Sequence, residues 1–328
     1  MIAVIGGAGY IGSHTVKYLL EQSQEVVVFD NLSEGHKETI PSGIPFLQGD
    51  VGSTADVHTL FTKYPTIHTV IHFAAHAYVG ESVKNPAKYY QNNVVNTMNL
   101  LHVMREFDVK RIVFSSTCAT YGIPHYIPID EVHPQQPINP YGRTKWIVEQ
   151  ILEDYRRAYG IHYIALRYFN AAGASLDTSI GELHDPETHL IPLVLDVALG
   201  KSESITVFGD DYDTPDGTCI RDYIHVTDLA QAHALAVEQL QHQKSDVYNL
   251  GNGNGYSVLE VIRTAKEVTG KEIPMKMAER RVGDPAILVG SADKAKKQLH
   301  WKPQHTDLHA IINSAWNWHN KMNRGTSS

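Results

Sequence analysis

Cysteine is scarce in this chain of 328 residues. Only Cys118 and Cys219 occur, far apart, which excludes a disulfide framework and points to a reducing compartment. Also missing is any apolar run near the roughly 18 residues needed to span a bilayer, so no membrane partner is expected. Net positive charge is absent: a formal charge of -8 argues against a general phosphate-backbone binder, hence against nucleic acid, while leaving room for a local basic pocket around one small anion. Histidine is plentiful at 19, yet there is no HExxH and no Cys/His cluster with zinc spacing. His184 and His189 fall in a predicted loop, and no metal is expected. The opening stretch MIAVIGGAGYIGSH has neither a charged leader nor a cleavage site, so it reads as mature fold, and a cytoplasmic protein is expected. With 42% hydrophobic and 20% charged residues, the chain can bury the core of two joined lobes.

Short β-branched runs alternate with helix-length amphipathic segments through the first half. IAVIG, EVVVFD, TVIHFAA, RIVFSST and YIALRYF have the character of strands buried on both faces. Their alternation with helices predicts an α/β fold: a doubly wound parallel Rossmann sheet over residues 1–172, with later segments free to return to it. Beyond 172 the rhythm loosens into polar loops, GELHDPETH and GDDYDTPDGT, between the predicted helices LIPLVLDVALG, DLAQAHALAVEQL and SVLEVIRTAKEV. Residues 173–328 thus read as a smaller mixed α/β lobe whose long loops are the place to seek substrate contacts. The terminal KMNRGTSS is expected to fray.

Immediately after the first predicted strand, GGAGYIG places Gly6, Gly9 and Gly12 before a helix. Glycines permit a tight turn and let backbone approach a pyrophosphate, whose charge meets the unpaired N–H groups of the helix start. Asp30, ending the second strand, is placed to accept hydrogen bonds from the adenosine ribose hydroxyls and to repel a ribose phosphate, so NAD is expected over NADP. Asp50 is a candidate for the adenine edge. HFAA, from His72 to Ala75, offers small residues as a wall for a flat cofactor.

In NPYGRTK, Tyr141 and Lys145 stand four apart at a helix start, and therefore share a face. That spacing says little by itself; position gives it meaning. The helix follows the strand ending in Thr117, whose end should border the cofactor cleft, and Pro140 suits its first turn. A free phenol with pKa near 10 is a poor base at neutral pH. A neighbouring ammonium and a positive nicotinamide ring would both favour the phenolate. Thr117, Tyr141 and Lys145 beside NAD form a set for oxidising a secondary alcohol: Tyr141 takes the hydroxyl proton while the carbon gives up hydride.

GGAGYIGSH, DNL, HFAA, VGES, YYQNNV, FSSTCATYG, NPYGRTK, RYFN, GTCIRDYIHV and RRVGDPA, in this order over nearly the whole chain, resemble the UDP-glucose 4-epimerases of the extended short-chain dehydrogenase/reductase class. The resemblance implies a tightly held NAD that removes hydride from C4 of a UDP-hexose and, after the 4-keto sugar rotates, returns it to the opposite face. UDP-galactose and UDP-glucose are the implied substrates, and a homodimer the implied assembly. It places Tyr10 and Ile11 at the pyrophosphate, Asp30 with Asn31, Leu32, Ser33 and Gly35 around the adenosine ribose, and Asp50 with Val51 at the adenine. Phe73, Ala74, Ala75, Asn92, Thr117, Tyr141, Lys145 and Phe169 complete the NAD site. For the UDP-sugar it implies Thr117, Tyr141, Asn170, His189, Leu190, Thr206, Val207, Phe208, Arg221, Tyr223, Arg281, Asp284 and Leu288; arginines suit a diphosphate. Departures from the family pattern are Ala77 where lysine is frequent, His189 where asparagine is common, and Thr117 for a frequent serine. Leu288 stands where residue size varies near the sugar's 2-position, which leaves UDP-N-acetylhexosamines open as substrates.

Two other readings compete. A nucleotide-sugar 4,6-dehydratase would need Asp and Glu just after the threonine, where this chain has Cys118 and Ala119. A non-catalytic NAD-binding regulatory protein would not require Thr117, Tyr141 and Lys145 together.

Overall fold

Alternating side chains along β1 (Ile2–Ile5) feed two different cores, Ile2 and Val4 one and Ala3 and Ile5 the other. A strand can do this only in the middle of a covered sheet. In the computed structural model, which describes residues 1–281 and 284–325, β1 is flanked by β2 (Val26–Asp30) and then β3 (Phe46–Gln48). On its other side lie β4 (Thr69–His72), β5 (Arg111–Thr117), β6 (His162–Tyr168) and, at the edge, a strand from much later in the chain. All pairings in this seven-stranded sheet are parallel.

Parallel neighbours need crossovers. Helix α1 (Tyr10–Glu21) joins β1 to β2, and α2 (Thr54–Lys63) joins β3 to β4. Between β4 and β5 run α3 (Val79–Lys84), α4 (Pro86–Tyr89), a π-helical segment (Tyr90–Val95) and α5 (Asn96–Glu106). Helix α6 (Pro140–Tyr159) leads into β6. The chain builds outward from β1 to β3, then reverses through β4, so a crevice opens between β1 and β4 at their carboxyl ends.

After β6, β7 (Asn170–Ala172) leads out to a third core formed by α7 (Leu190–Ala198), β8 (Ile205–Phe208) and later elements. Strand β9 (Ile220–Arg221) belongs to a small sheet, and β10 (Tyr223–His225) pairs with β7. The chain then returns: α8 (Val226–Leu240) packs on α1, and β11 (Asp246–Leu250) becomes the seventh strand beside β6. It leaves again through β12 (Tyr256–Ser257), α9 (Val258–Thr269), β13 (Met275–Ala278) and β14 (Ile287–Leu288). Helix α10 (Asp293–Gln298) comes back onto β11, and α11 (Leu308–Gly325) packs on α9.

These crossings are latched by Asp222, a fully buried carboxylate between β9 and β10. It accepts N–H bonds from Asn252 and Gly253 after β11 and from Gly290 after β14, at 2.8–3.2 Å. The stretch expected to fray is helical through residue 325, and residues 326–328 lie outside the described residues. Among the described residues no helix is long and apolar enough to cross a membrane.

Candidate active site

The crevice is lined first by the glycine turn. Gly6 has φ +79°, and a Cβ there would stand 2.6 Å from Ala74 N. Gly12 seats α1 on this bend, since its Cβ would lie 2.1 Å from Gly6 O, and Gly35 packs against Ala8 in the same way. Gly9 differs. Its φ is -78° and a Cβ would meet only Gly6 O, at an ordinary 3.5 Å, so the fold itself does not require glycine there. What glycine leaves open is the outer side of the turn. There the first N–H groups of α1, on Tyr10, Ile11 and Gly12, have no intrahelical acceptor, and the first turn carries no acid. These residues fit a pyrophosphate. The Tyr10 side chain turns away and donates to Gly173 O at 2.6 Å, which leaves only its backbone for an anion, and Ile11 packs into the core beneath.

Asp30, at the end of β2, is held by N–H bonds from Ala8 to Oδ2 and Leu32 to Oδ1, at 2.9 and 2.8 Å; burial outweighs them and raises its pKa. The second bond pins Leu32 at φ +61°, a strained conformation for leucine. Asn31 caps Ser33 N with Oδ1 and donates to Asp50 Oδ2 at 2.7 Å, joining the ends of β2 and β3. Val51 is buried in the core, so only its backbone faces a ligand. Phe73 and Ala74 both donate N–H to Ile5 O, at 2.8 and 3.2 Å, which draws residues 73–75 against the turn. Asn92 lies on the π-helical segment and donates to Asn93 Oδ1. Ala77 is exposed.

Register brings the reacting groups to the same edge: Ile5 pairs with His72 and His72 with Phe114, so Thr117 projects about 10 Å beyond the end of β4. Asn139 Oδ1 caps α6 by accepting from Gly142 N at 2.8 Å, and Pro140 fixes the first turn, which sets Tyr141 at the mouth. Burial pushes the pKa of Tyr141 up, with Tyr168 adding to the rise and the neighbouring Thr117 hydroxyl opposing it. Thr117 Oγ1 accepts from Ala119 N at 3.2 Å.

Lys145, on the same helix, already has a partner of its own. Its ammonium donates to Ser115 O at 2.8 Å and lies 4.9 Å from the centre of the Phe114 ring. The carbonyl at the β5 end is the acceptor within reach of a side chain buried to 3% exposure, and that burial, opposed by Glu149, pushes its pKa down to about 7. Beneath it a buried ion pair ties α6 to the sheet: Arg167 binds Glu149 Oε2 at 2.5 Å, and Ser116 donates to Glu149 Oε1 at 2.5 Å. Such a pair fixes geometry more than it adds stability. Sequence reading missed it, and missed Asn93. That buried amide brackets the His76 backbone with both ends and donates to Thr144, locking the loop after β4 to α6.

Across the cleft, Phe169 packs so closely under Gly290 that a Cβ there would lie 2.2 Å from its ring. Asn170 donates to Asp222 O and pairs with buried Tyr223. Arg221 forms an ion pair with Asp284 and donates to Ile220 O at 2.7 Å and Pro285 O at 2.8 Å; Leu288 is its neighbour in register. The Arg281 guanidinium stacks 4.1 Å from the centre of the Phe208 ring. On β8, Thr206 faces solvent whereas Val207 faces the third core, so its side chain is withheld from any ligand. His189 immediately precedes α7, which Leu190 begins. With Glu182, His184 and Glu187 it forms a close cluster that the search for zinc spacings passed over.

Residues 2–251 match the NAD dependent epimerase/dehydratase family, and the chain belongs to that family. It is similar to the UDP-glucose 4-epimerase of Halalkalibacterium halodurans, with 54% identity over 100% of this chain and 98% of the relative. The crystal structure of UDP-glucose 4-epimerase from Brucella ovis in complex with NAD superposes with a TM-score of 0.93 at 50% identity, over 96% of this chain and 97% of that one. The Bifidobacterium longum enzyme in complex with NAD+ and UDP gives a TM-score of 0.94 at 40% identity, covering 99% of both chains.

Proposed function

We propose that this chain is a UDP-glucose 4-epimerase that interconverts UDP-galactose and UDP-glucose. The observation that carries the reading is that the Tyr141 phenol at the start of α6 and Thr117 at the end of β5 come together, Thr117 opposing the burial that raises the phenol's pKa, while Cys118 and Ala119 stand where a dehydratase needs carboxyl groups. A proton can be taken and returned there, but the acid and base of a dehydratase are lacking.

The N–H groups of Tyr10, Ile11 and Gly12 would hold the pyrophosphate of NAD and Asp30 its adenosine ribose, and the bound cofactor would supply an acceptor for the C4 hydride and return it. Tyr141 removes and later restores the C4 hydroxyl proton, and Thr117 orients it. Lys145, bonded to Ser115 O near the end of β5, would hold the nicotinamide ribose. Burial raises the phenol's pKa in the protein alone, and a positive charge brought by the oxidised cofactor would favour the phenolate. Arg221 and Arg281 hold the diphosphate, Phe208 and the backbone of β8 the base, and Asn170 and Tyr223 the sugar side of the cleft. Residues 1–172 with β11 and α8 form the NAD-binding part, and the remainder the UDP-sugar lobe. A cytoplasmic homodimer completes the reading, checked by light scattering of the purified protein.

The direct test is to incubate the purified protein with UDP-galactose and follow UDP-glucose by NMR. Interconversion without added reductant is expected. Absence of exchange in protein that carries NAD would overturn the epimerase reading.

A further inference from the structure

The loop between β7 and α7 gathers Glu182, His184, Glu187 and His189 so that one ligand atom from each lies within 4.8 Å of all the others. Individual separations are 3.1 Å from His184 Nδ1 to Glu182 Oε1 and 3.7 Å to Glu187 Oε2. From His189 Nδ1 they are 2.9 Å to Glu182 Oε1 and 3.1 Å to Glu187 Oε1. A tetrahedral zinc with bonds near 2.05 Å separates its ligand atoms by about 3.3 Å, in the middle of this range.

Orientation is the second observation. Glu182 is 5% exposed, yet its Oε1 makes no hydrogen bond, nor does buried His184 Nδ1, although the two atoms are close enough. His189 Nδ1 and Glu187 Oε1 are hydrogen-bonded at 3.1 Å, whereas Glu182 Oε1 and His184 Nδ1 converge without pointing at one another and are aimed into the space the four ligand atoms share. The surroundings hold the set in place: Trp318 Nε1 donates to Glu182 O, and the Trp318 ring fills the space where residue 181 would carry a Cβ. Edges of Tyr10 and Tyr78 flank the His184 ring, and N–H groups of Thr188 and His189 bond Glu187 Oε1. Supports of this kind fix the first ligands of metal sites.

We propose that Glu182, His184, Glu187 and His189 bind one divalent transition-metal ion, zinc by preference, as a structural clamp holding this loop and the start of α7 against Tyr10. Two carboxylates neutralise the ion, the imidazoles bind neutral through Nδ1, and four protein ligands leave no open position for chemistry. The mixed nitrogen and oxygen set disfavours calcium and magnesium, and the absence of thiolate disfavours copper(I). The inference does not rest on the proposed epimerase activity.

The test uses the full chain purified without a metal-affinity step. Elemental analysis is expected to find about one zinc per chain, and a strong chelator to lower Tm by about 5 °C, restored by zinc and not by magnesium. His184→Gln with Glu187→Gln should reduce bound zinc at least tenfold. Should that variant not fold, cobalt(II) in the unsubstituted chain gives a second readout, with the strong visible absorption of a four-coordinate site expected. A chain that takes up no zinc in equilibrium dialysis and whose Tm ignores the chelator would overturn the proposal and leave an ion-pair network only. A weak six-coordinate cobalt spectrum would overturn it equally.

Discussion

The two banks of the cleft are built on opposite plans. At the glycine turn on the sheet side the groups offered to a ligand are backbone N–H groups, opened by glycine and by a helix start with no competing acid. On the lobe side they are charged side chains that already have partners: Arg221 with Asp284, and Arg281 over Phe208. At the glycine turn the first bank is preformed and has nothing to give up, whereas the arginines of the second have internal contacts to exchange for those made to a ligand. Binding on the first should resemble lock and key, and on the second a trade in which the lobe rearranges.

That contrast can be broken in several ways. The largest effect falls where the banks meet: Tyr141→Phe should retain NAD, measured by absorbance after denaturation, while kcat falls about 1000-fold, roughly 4 kcal/mol. Near-normal turnover would assign the base elsewhere. Next come the glycines, which should separate fold from binding. Gly12→Ala pushes a Cβ onto Gly6 O and should cost about 3 kcal/mol in denaturant unfolding. Gly9→Ala should leave stability within about 0.5 kcal/mol yet weaken NAD retention, because the methyl faces only the ligand side; equal losses in both variants would refute the distinction. Arg221→Ala should raise KM for UDP-galactose about 10-fold to 100-fold with little change in kcat, since a diphosphate is held alike before and during the reaction. A drop confined to kcat would place Arg221 at the chemistry. Smallest is Leu288→Tyr, expected to reduce any turnover of UDP-N-acetylglucosamine relative to UDP-glucose by a few-fold, read from the ratio of kcat/KM values.

The same contrast explains what could be read in the sequence. Strands β1, β2, β4, β5 and β6 were legible because continuous β-branched runs have few other homes, and the glycine turn because its spacing is dictated by sterics. Strand β3 was not, being three residues long and only half buried, nor was β11, whose membership depends on pairing with residues some eighty positions earlier. Helix α8 was legible as a helix but not as the partner of α1. Thr117 ends β5 and Tyr141 opens α6, the elements that the sequence pattern predicts for them. Lys145 reaches a carbonyl that no motif names, and Asn93 is invisible to pattern because its task is to bond backbone from another loop. Glu182 and Glu187 carry no zinc signature in the sequence, because carboxylates in a polar loop look like solvated surface until the fold brings them onto His184 and His189.

The late arrival of β11 has a consequence for the protein's birth. While the ribosome is still short of residue 246, β6 has one edge unpaired, with a row of backbone donors and acceptors between Tyr163 and Tyr168 open to any passing strand. The parallel sheet therefore cannot close as its amino-terminal half emerges. Premature termination within the second lobe should yield a sticky fragment, one prone to aggregate or to recruit chaperones, even though the fragment would hold every residue of the glycine turn and the Tyr141 site.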